Sequence, residues 1–202
     1  MTKSVGQFLF LILLFPASLI AQNIDINLLK SINENESSFK NSYFKVTAQT
    51  VTIVNIAAPA GFFVAGLLKH DKELKKKAVY MAGGFIVSTM ITHATKRIIK
   101  RTRPFEEYPF IEKRDVGGGY SFPSGHTSAA FTTATSLSLY YPKWYVIVPA
   151  YLWAGSVGYA RMYQGEHYPS DVLAGAFVGA ASAWLSYKAQ QWIEKKHKQK
   201  NR

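Results

Sequence analysis

The sequence predicts an all-α, membrane-embedded helical bundle: about five core transmembrane helices, preceded by a signal peptide and a short amphipathic helix. Three observations lead there. Val51–Leu68 and Ala78–Thr95 each run for about 18 residues without Asp, Glu, Lys or Arg, the length of a helix that crosses a bilayer. The charges are bunched between apolar blocks, so the mean hydropathy of −0.02 averages two unlike kinds of segment. Glycines recur inside the blocks, and Gly175-x-x-x-Gly179 has the spacing at which membrane helices approach closely.

The elements follow in order. Lys3, an apolar run from Phe8 to Ile20 and the small Ala21 before Gln22 have the layout of a signal peptide, residues 1–21, cut after Ala21; a retained first anchor shares that layout. Residues 22–50 are polar, with apolar positions at Ile24, Ile26, Leu28, Leu29 and Ile32. That spacing predicts an amphipathic helix lying on the membrane or against the domain. Five apolar blocks then build the domain over 51–190: the two long ones, Ser128–Tyr141, Trp144–Ala160 and Val172–Tyr187. A basic tail closes the chain over 191–202. With five alternating spans, Lys69–Lys77, Lys143 and the tail share one side, and the excess of lysine there makes it cytoplasmic. Residues 22–50, 96–127 and 161–171 then face the periplasm of a bacterial inner membrane.

Composition narrows the class. The 202 residues suit one domain; Lys and Arg number 24 against 12 acidic residues, a formal charge of +12, and there is no cysteine. Disulfides and thiolate metal sites are excluded. Such a basic chain suits a polyanionic partner, but the charge is split between two faces of a membrane protein, which argues against nucleic acid. One outer loop defies the topology rule: Lys96, Arg97, Lys100, Arg101 and Arg103 lie on the side that should lack them, and phosphate binding supplies a reason.

Three stretches carry chemistry on that side. In Lys96-Arg97-Ile98-Ile99-Lys100-Arg101-Thr102-Arg103-Pro104, Lys96 and Arg103 are two turns apart and share a face if the helix continues; Pro104 ends it. In Pro123-Ser124-Gly125-His126, a turn precedes a helix that Ser124 or Thr127 can cap, with His126 in its first turn, where anions are favoured. In the third, Asp171 follows His167 by four residues, after Arg161. A carboxylate accepting from one imidazole nitrogen leaves the other reactive.

Taken together, K-x6-R-P, P-S-G-H and R-x5-H-x3-D in this order resemble the type-2 phosphatidic acid phosphatase family, over about residues 51–187. That family includes bacterial acid phosphatases and vanadium haloperoxidases. The resemblance implies that His167 attacks phosphorus, Asp171 orients it, and His126 protonates the leaving oxygen and then activates water. It implies that Lys96, Arg103, Ser124, the Gly125 N–H and Arg161 hold the phosphate. The family has Ser before the third-motif Arg; this chain has Ala160, which removes one hydroxyl from the site.

The expected function is hydrolysis of a lipid phosphate or pyrophosphate, with undecaprenyl pyrophosphate, phosphatidylglycerol phosphate, phosphatidic acid and lipid A as candidates. No cofactor is expected, because no acidic cluster suggests Mg²⁺. The alternatives are a soluble periplasmic acid phosphatase and a non-catalytic phospholipid-binding membrane protein. Sequence alone leaves the oligomeric state open.

Overall fold

The computed structural model describes residues 23–200, which contain helices and no strand. The expected signal peptide lies outside the described residues. Helix α1 covers 23–33. It is followed by α2 (Ser38–Leu68), α3 (Lys72–Ile99), the short α4 (Pro104–Glu107), α5 (Gly125–Tyr140), α6 (Trp144–Tyr163) and α7 (Pro169–Lys200).

Local signals account for the helix ends. The Ser37 hydroxyl caps α2 by accepting from the Lys40 N–H at 3.2 Å, and the Asp71 carboxylate caps α3 by accepting from Glu73 at 2.8 Å and Leu74 at 3.2 Å. Nothing breaks the chain between Ser38 and Val51, so the expected domain boundary at 50/51 falls inside the 31-residue α2. At the other end, α7 runs on through Lys200, and the expected separate tail over 191–202 begins as its continuation. Helix α3 stops at Ile99, four residues before Arg103. Lys100 adopts a left-handed conformation, φ 53°, and Pro104 instead opens α4. Lys96 and Arg103 are therefore not on one helical face.

Helix α5 is the centre of the bundle. It packs against α7, α6, α3 and α2, through a small-residue core that includes Ala130, Ala134, Ala154 and Val157. The approach of α7 depends on its two spaced glycines. A Cβ on Gly175 would lie 2.5 Å from the Ser124 carbonyl oxygen, and one on Gly179 would press still harder on that of Ser128.

The polarity of the bundle is inverted. Its interior buries Ser88, Thr92, Thr127, Ser128, Thr132 and Ser182, while Ile53, Leu173 and Phe177 are 66%, 72% and 75% exposed. Except for Ser182, whose Oγ has no hydrogen-bond partner among the described residues, the inner hydroxyls bond to one another and to the backbone: Thr92 donates to Ser128 Oγ at 3.2 Å and Thr132 to the Ser128 carbonyl at 2.8 Å. A continuous apolar exterior is what a lipid surround requires and what water disfavours. Among the described residues, α2 is the one helix long and apolar enough to cross a membrane by length and composition, and 17% of its apolar stretch is buried. This falls short of the expected five, for physical reasons. Helix α5 has 16 residues, about 24 Å of rise against a hydrocarbon core of about 30 Å. Lysines occupy the first turns of α3, and Pro149, tyrosines and tryptophans dilute α6.

Helix α1 packs on the domain. Ile26 and Leu29 are buried with Ile111 and Tyr168. The Asn33 amide donates to the carbonyls of Glu112 and Tyr163, both at 2.9 Å, and its oxygen accepts from the Glu112 N–H at 2.9 Å.

Candidate active site

The end of α3, the start of α5, the end of α6 and the start of α7 meet at one end of the bundle, bringing the three sequence stretches together. The segment after α3 is extended, and it delivers Arg103 into the interior, 5% exposed. Arg103 Nε donates to the Gly119 carbonyl and Nη2 to that of Gly118, each at 2.8 Å. Gly119 has φ +74°, a conformation that favours glycine. The Lys96 ammonium donates to the carbonyls of Tyr120 and, at 3.1 Å, Ser121. Both first-stretch cations are thus fixed by the loop that leads into the second.

Ser124 holds the N-cap position of α5 but makes no side-chain capping bond. Its Oγ instead accepts from the Thr127 hydroxyl at 2.9 Å, and its N–H donates to the Asp171 carbonyl at 3.0 Å. Gly125 and His126 follow on the first turn and line a cavity of about 440 Å³ with Thr92, His93 and Ser128.

The third stretch is almost wholly buried: Arg161 is 1% exposed, His167 2% and Asp171 0%. His167 Nδ1 lies 3.6 Å from Asp171 Oδ2, longer than a hydrogen bond. Ser121 fills the gap that sequence spacing had assigned to a direct pair. Its hydroxyl donates to Asp171 Oδ2 and sits 3.4 Å from His167 Nδ1. A carboxylate only accepts and a hydroxyl has one proton, so Nδ1 is the protonated ring nitrogen and Nε2 keeps its lone pair. Asp171 is held further by the Tyr168 N–H at 3.0 Å and by Arg101 Nη1 at 2.8 Å.

Burial pushes the His167 imidazole down to about 3, with Arg103 and Arg161 acting in the same direction and Asp171 opposing. The ring is therefore neutral at physiological pH. The sign of the pH dependence follows. Above its ordinary value of 6.5, the ring is neutral in folded and unfolded chains alike. Between about 6.5 and 3 only the unfolded chain takes up the proton, so stability falls as pH falls, by up to about 1.4 kcal/mol per unit. Melting in detergent at pH 7 and pH 5 should show this loss, and His167→Gln should reduce it. Equal slopes in the two proteins would contradict the assignment.

Two carboxylates pair with Arg103 and Arg161. Glu166, 0% exposed, forms an ion pair with Arg103, reaches Arg161 Nη2 at 3.5 Å and accepts from the Gly117 N–H at 3.1 Å. It is an interior counter-charge. Asp115 accepts from Arg161 Nη1. Partial burial opposes its charge, yet the Arg161 guanidinium and the Val116 N–H hold it below the usual carboxylate range. Arg161 Nε is buried without a hydrogen-bond partner among the described residues, a donor a ligand oxygen could use. Nearby, Tyr163 donates to Asn41 Oδ1 and Tyr168 to Glu107 Oε2, and Glu112 pairs with Arg114. Ser121, Arg101 and Asp25 were missed. Arg101 had a signal, since it lies within the anomalous basic loop. Ser121 and Asp25 had none, because their partners lie 50 and 76 residues away.

This fold and this site define a phosphoric ester hydrolase built on a helical bundle. Residues 77–195 match the PAP2 superfamily, and the chain belongs to that family. It is 32% identical to an undecaprenyl-diphosphatase from Sulfolobus acidocaldarius over 192 residues, covering 91% of this chain and 87% of that protein. It is 31% identical to a lipid A 1-phosphatase from Porphyromonas gingivalis across 89% of this chain but 37% of that much longer protein. The crystal structure of Aquifex aeolicus LpxE superposes with a TM-score of 0.73 at 26% identity, over 82% of this chain and 95% of that one. The transmembrane PAP2-type phosphatidylglycerolphosphate phosphatase of Bacillus subtilis has a TM-score of 0.72 at 24% identity, over 96% and 98%, a likeness of fold.

Proposed function

We propose that this protein removes a terminal phosphate from a membrane lipid phosphate or diphosphate, on the membrane face opposite Lys69–Lys77, through a phosphohistidine at His167. One observation carries the lipid part of the reading. The cavity beside His126 shares Asn55, Ile56 and Phe85 with a second cavity of about 470 Å³ lined by Pro59, Phe63, Val79 and Ile86. Together they form an apolar groove between α2 and α3 that starts at the site. Ile56, Val79 and Ile86 on its rim are exposed, so a hydrocarbon chain could enter from the side. A soluble ester has no use for such a groove.

In this reading the phosphate displaces the Asp115 and Glu166 carboxylates from Arg161 and Arg103. Lys96, Ser124 and the Gly125 N–H complete its contacts, and these donors stabilise the charge on the equatorial oxygens. His167 Nε2 attacks phosphorus in line, and the bond to the lipid oxygen breaks. That oxygen takes a proton from His126. The now neutral His126 then takes a proton from water. The water oxygen bonds to phosphorus, the phosphorus–nitrogen bond breaks, and inorganic phosphate leaves. No step requires a metal ion.

The test is phosphate release by detergent-purified protein in EDTA, from undecaprenyl diphosphate, phosphatidylglycerol phosphate, phosphatidic acid, lipid A and a water-soluble phosphate ester. Each buried methylene contributes about 0.8 kcal/mol, so a lipid should exceed the soluble ester in kcat/KM by at least about tenfold. Equal turnover would favour the soluble acid phosphatase alternative. Lipid binding without release from any substrate would favour the non-catalytic one, with Ala160 as its mark.

A further inference from the structure

We propose that Arg101 and Asp25 are positioning residues for this hydrolysis. Helix α1 grips the start of α7 through Asp25, and Arg101 passes that grip to the carboxylate behind the nucleophile. The inference rests on the proposed reaction at His167.

The geometry is a bridge. Arg101 Nη2 donates to Asp25 Oδ2 at 2.8 Å, and Nη1 donates to Asp171 Oδ1 at 2.8 Å and to Ser170 Oγ at 2.7 Å. Its guanidinium lies over the Tyr168 ring, 3.7 Å from the centroid. Asp25, on α1, also accepts from the Ser170 N–H at 2.8 Å and from the Ser170 hydroxyl at 2.5 Å. A planar guanidinium holding two carboxylates and stacked on an aromatic face has few ways to move.

The bridge matters because of how Asp171 is used. Its Oδ2 takes the Ser121 hydroxyl and the Tyr168 N–H, while Oδ1 takes Arg101. Without Arg101, Oδ1 loses this charged contact and the carboxylate can turn. Ser121 turns with it, and so does the partner that holds the proton on His167 Nδ1. A shift of about 1 Å in a reacting group costs about 100-fold in rate. Asp25 acts at one remove, by fixing Arg101 and Ser170. Helix α1 has anchors besides Asp25, in Leu29 and in the three hydrogen bonds of Asn33. Asp25→Asn should therefore leave α1 docked.

The experiment compares wild type, Arg101→Gln, Arg101→Lys, Asp25→Asn and Asn33→Ala, using phosphate release and melting temperature in detergent. Arg101→Gln should lower kcat by roughly 10- to 100-fold with KM within about twofold of wild type. Asp25→Asn should lower it by less, in the same pattern. Arg101→Lys keeps the charge and should recover part of the loss. Asn33→Ala loosens the same helix away from Asp171 and should lower the melting temperature while kcat stays near wild type. Unchanged kcat in Arg101→Gln would overturn the proposal. So would losses that follow melting temperature across all four variants, Asn33→Ala included. A folded wild type that hydrolyses none of the phosphate substrates would overturn the reaction itself.

Discussion

His167→Ala is expected to abolish turnover, lowering kcat by at least about 10³-fold, because it removes the atom that bonds to phosphorus. The fold should survive at a lower melting temperature, since the variant leaves a cavity where the buried ring stood but breaks only one long polar contact, to Ser121 at 3.4 Å. Substrate should still bind, because Arg103, Arg161 and Lys96 remain. The decisive measurement is labelling with ³²P-substrate, quenched in alkaline detergent and then exposed to acid or alkali. Wild type should carry acid-labile, alkali-stable phosphate, and His167→Ala should carry none. Label retained in the variant would move the nucleophile elsewhere and dismantle the proposed mechanism.

His126→Ala should produce the second-largest effect, a loss of about 10²- to 10⁴-fold in kcat, the range for a positioned acid–base group. Its two tasks make the outcome substrate-dependent. A lipid alkoxide is a poor leaving group and depends on a proton from His126. A diphosphate expels a phosphate monoester, which leaves more readily, so its first step suffers less. With a diphosphate the variant should therefore accumulate labelled phosphoenzyme, because the water step still lacks its base. An equal loss on both substrate types, with no trapped intermediate, would show that His126 acts only in binding.

Much of this site was legible in the sequence, and the illegible part has a common cause. Lys96, His126, Arg161, His167 and Asp171 stood in short runs whose residue types suit phosphate chemistry, and the folded chain gathers those runs at one end of the bundle. What sequence spacing could not supply was the set of contacts across the chain. The i,i+4 relation of His167 and Asp171 suggested a direct pair, yet the side chains stop 3.6 Å apart and Ser121, from another loop, reaches both. Arg103 was expected on the helix of Lys96. It arrives on an extended segment because Lys100 turns left-handed, a local reversal that apolar periodicity does not register. The burial of Glu166 depends likewise on the approach of residues 103 and 117, far from it in the chain. The inner hydroxyls of α5 lowered the apparent hydrophobicity of a helix that is central to the bundle.

The bare face of α7 at Gly175 and Gly179 has a consequence for inheritance as well as for shape. The Ser124 and Ser128 carbonyl oxygens rest where side chains would begin, so the helix bearing His126 and the helix bearing Asp171 keep their relative register by contact of main chain with main chain. A substitution there adds atoms remote from the phosphorus, yet it pries apart the two supports on which catalysis stands. In a random mutagenesis screen these glycines would therefore score beside the histidines as loss-of-function positions. They would differ from them in one respect: tolerance would follow the size of the new residue, not its chemistry.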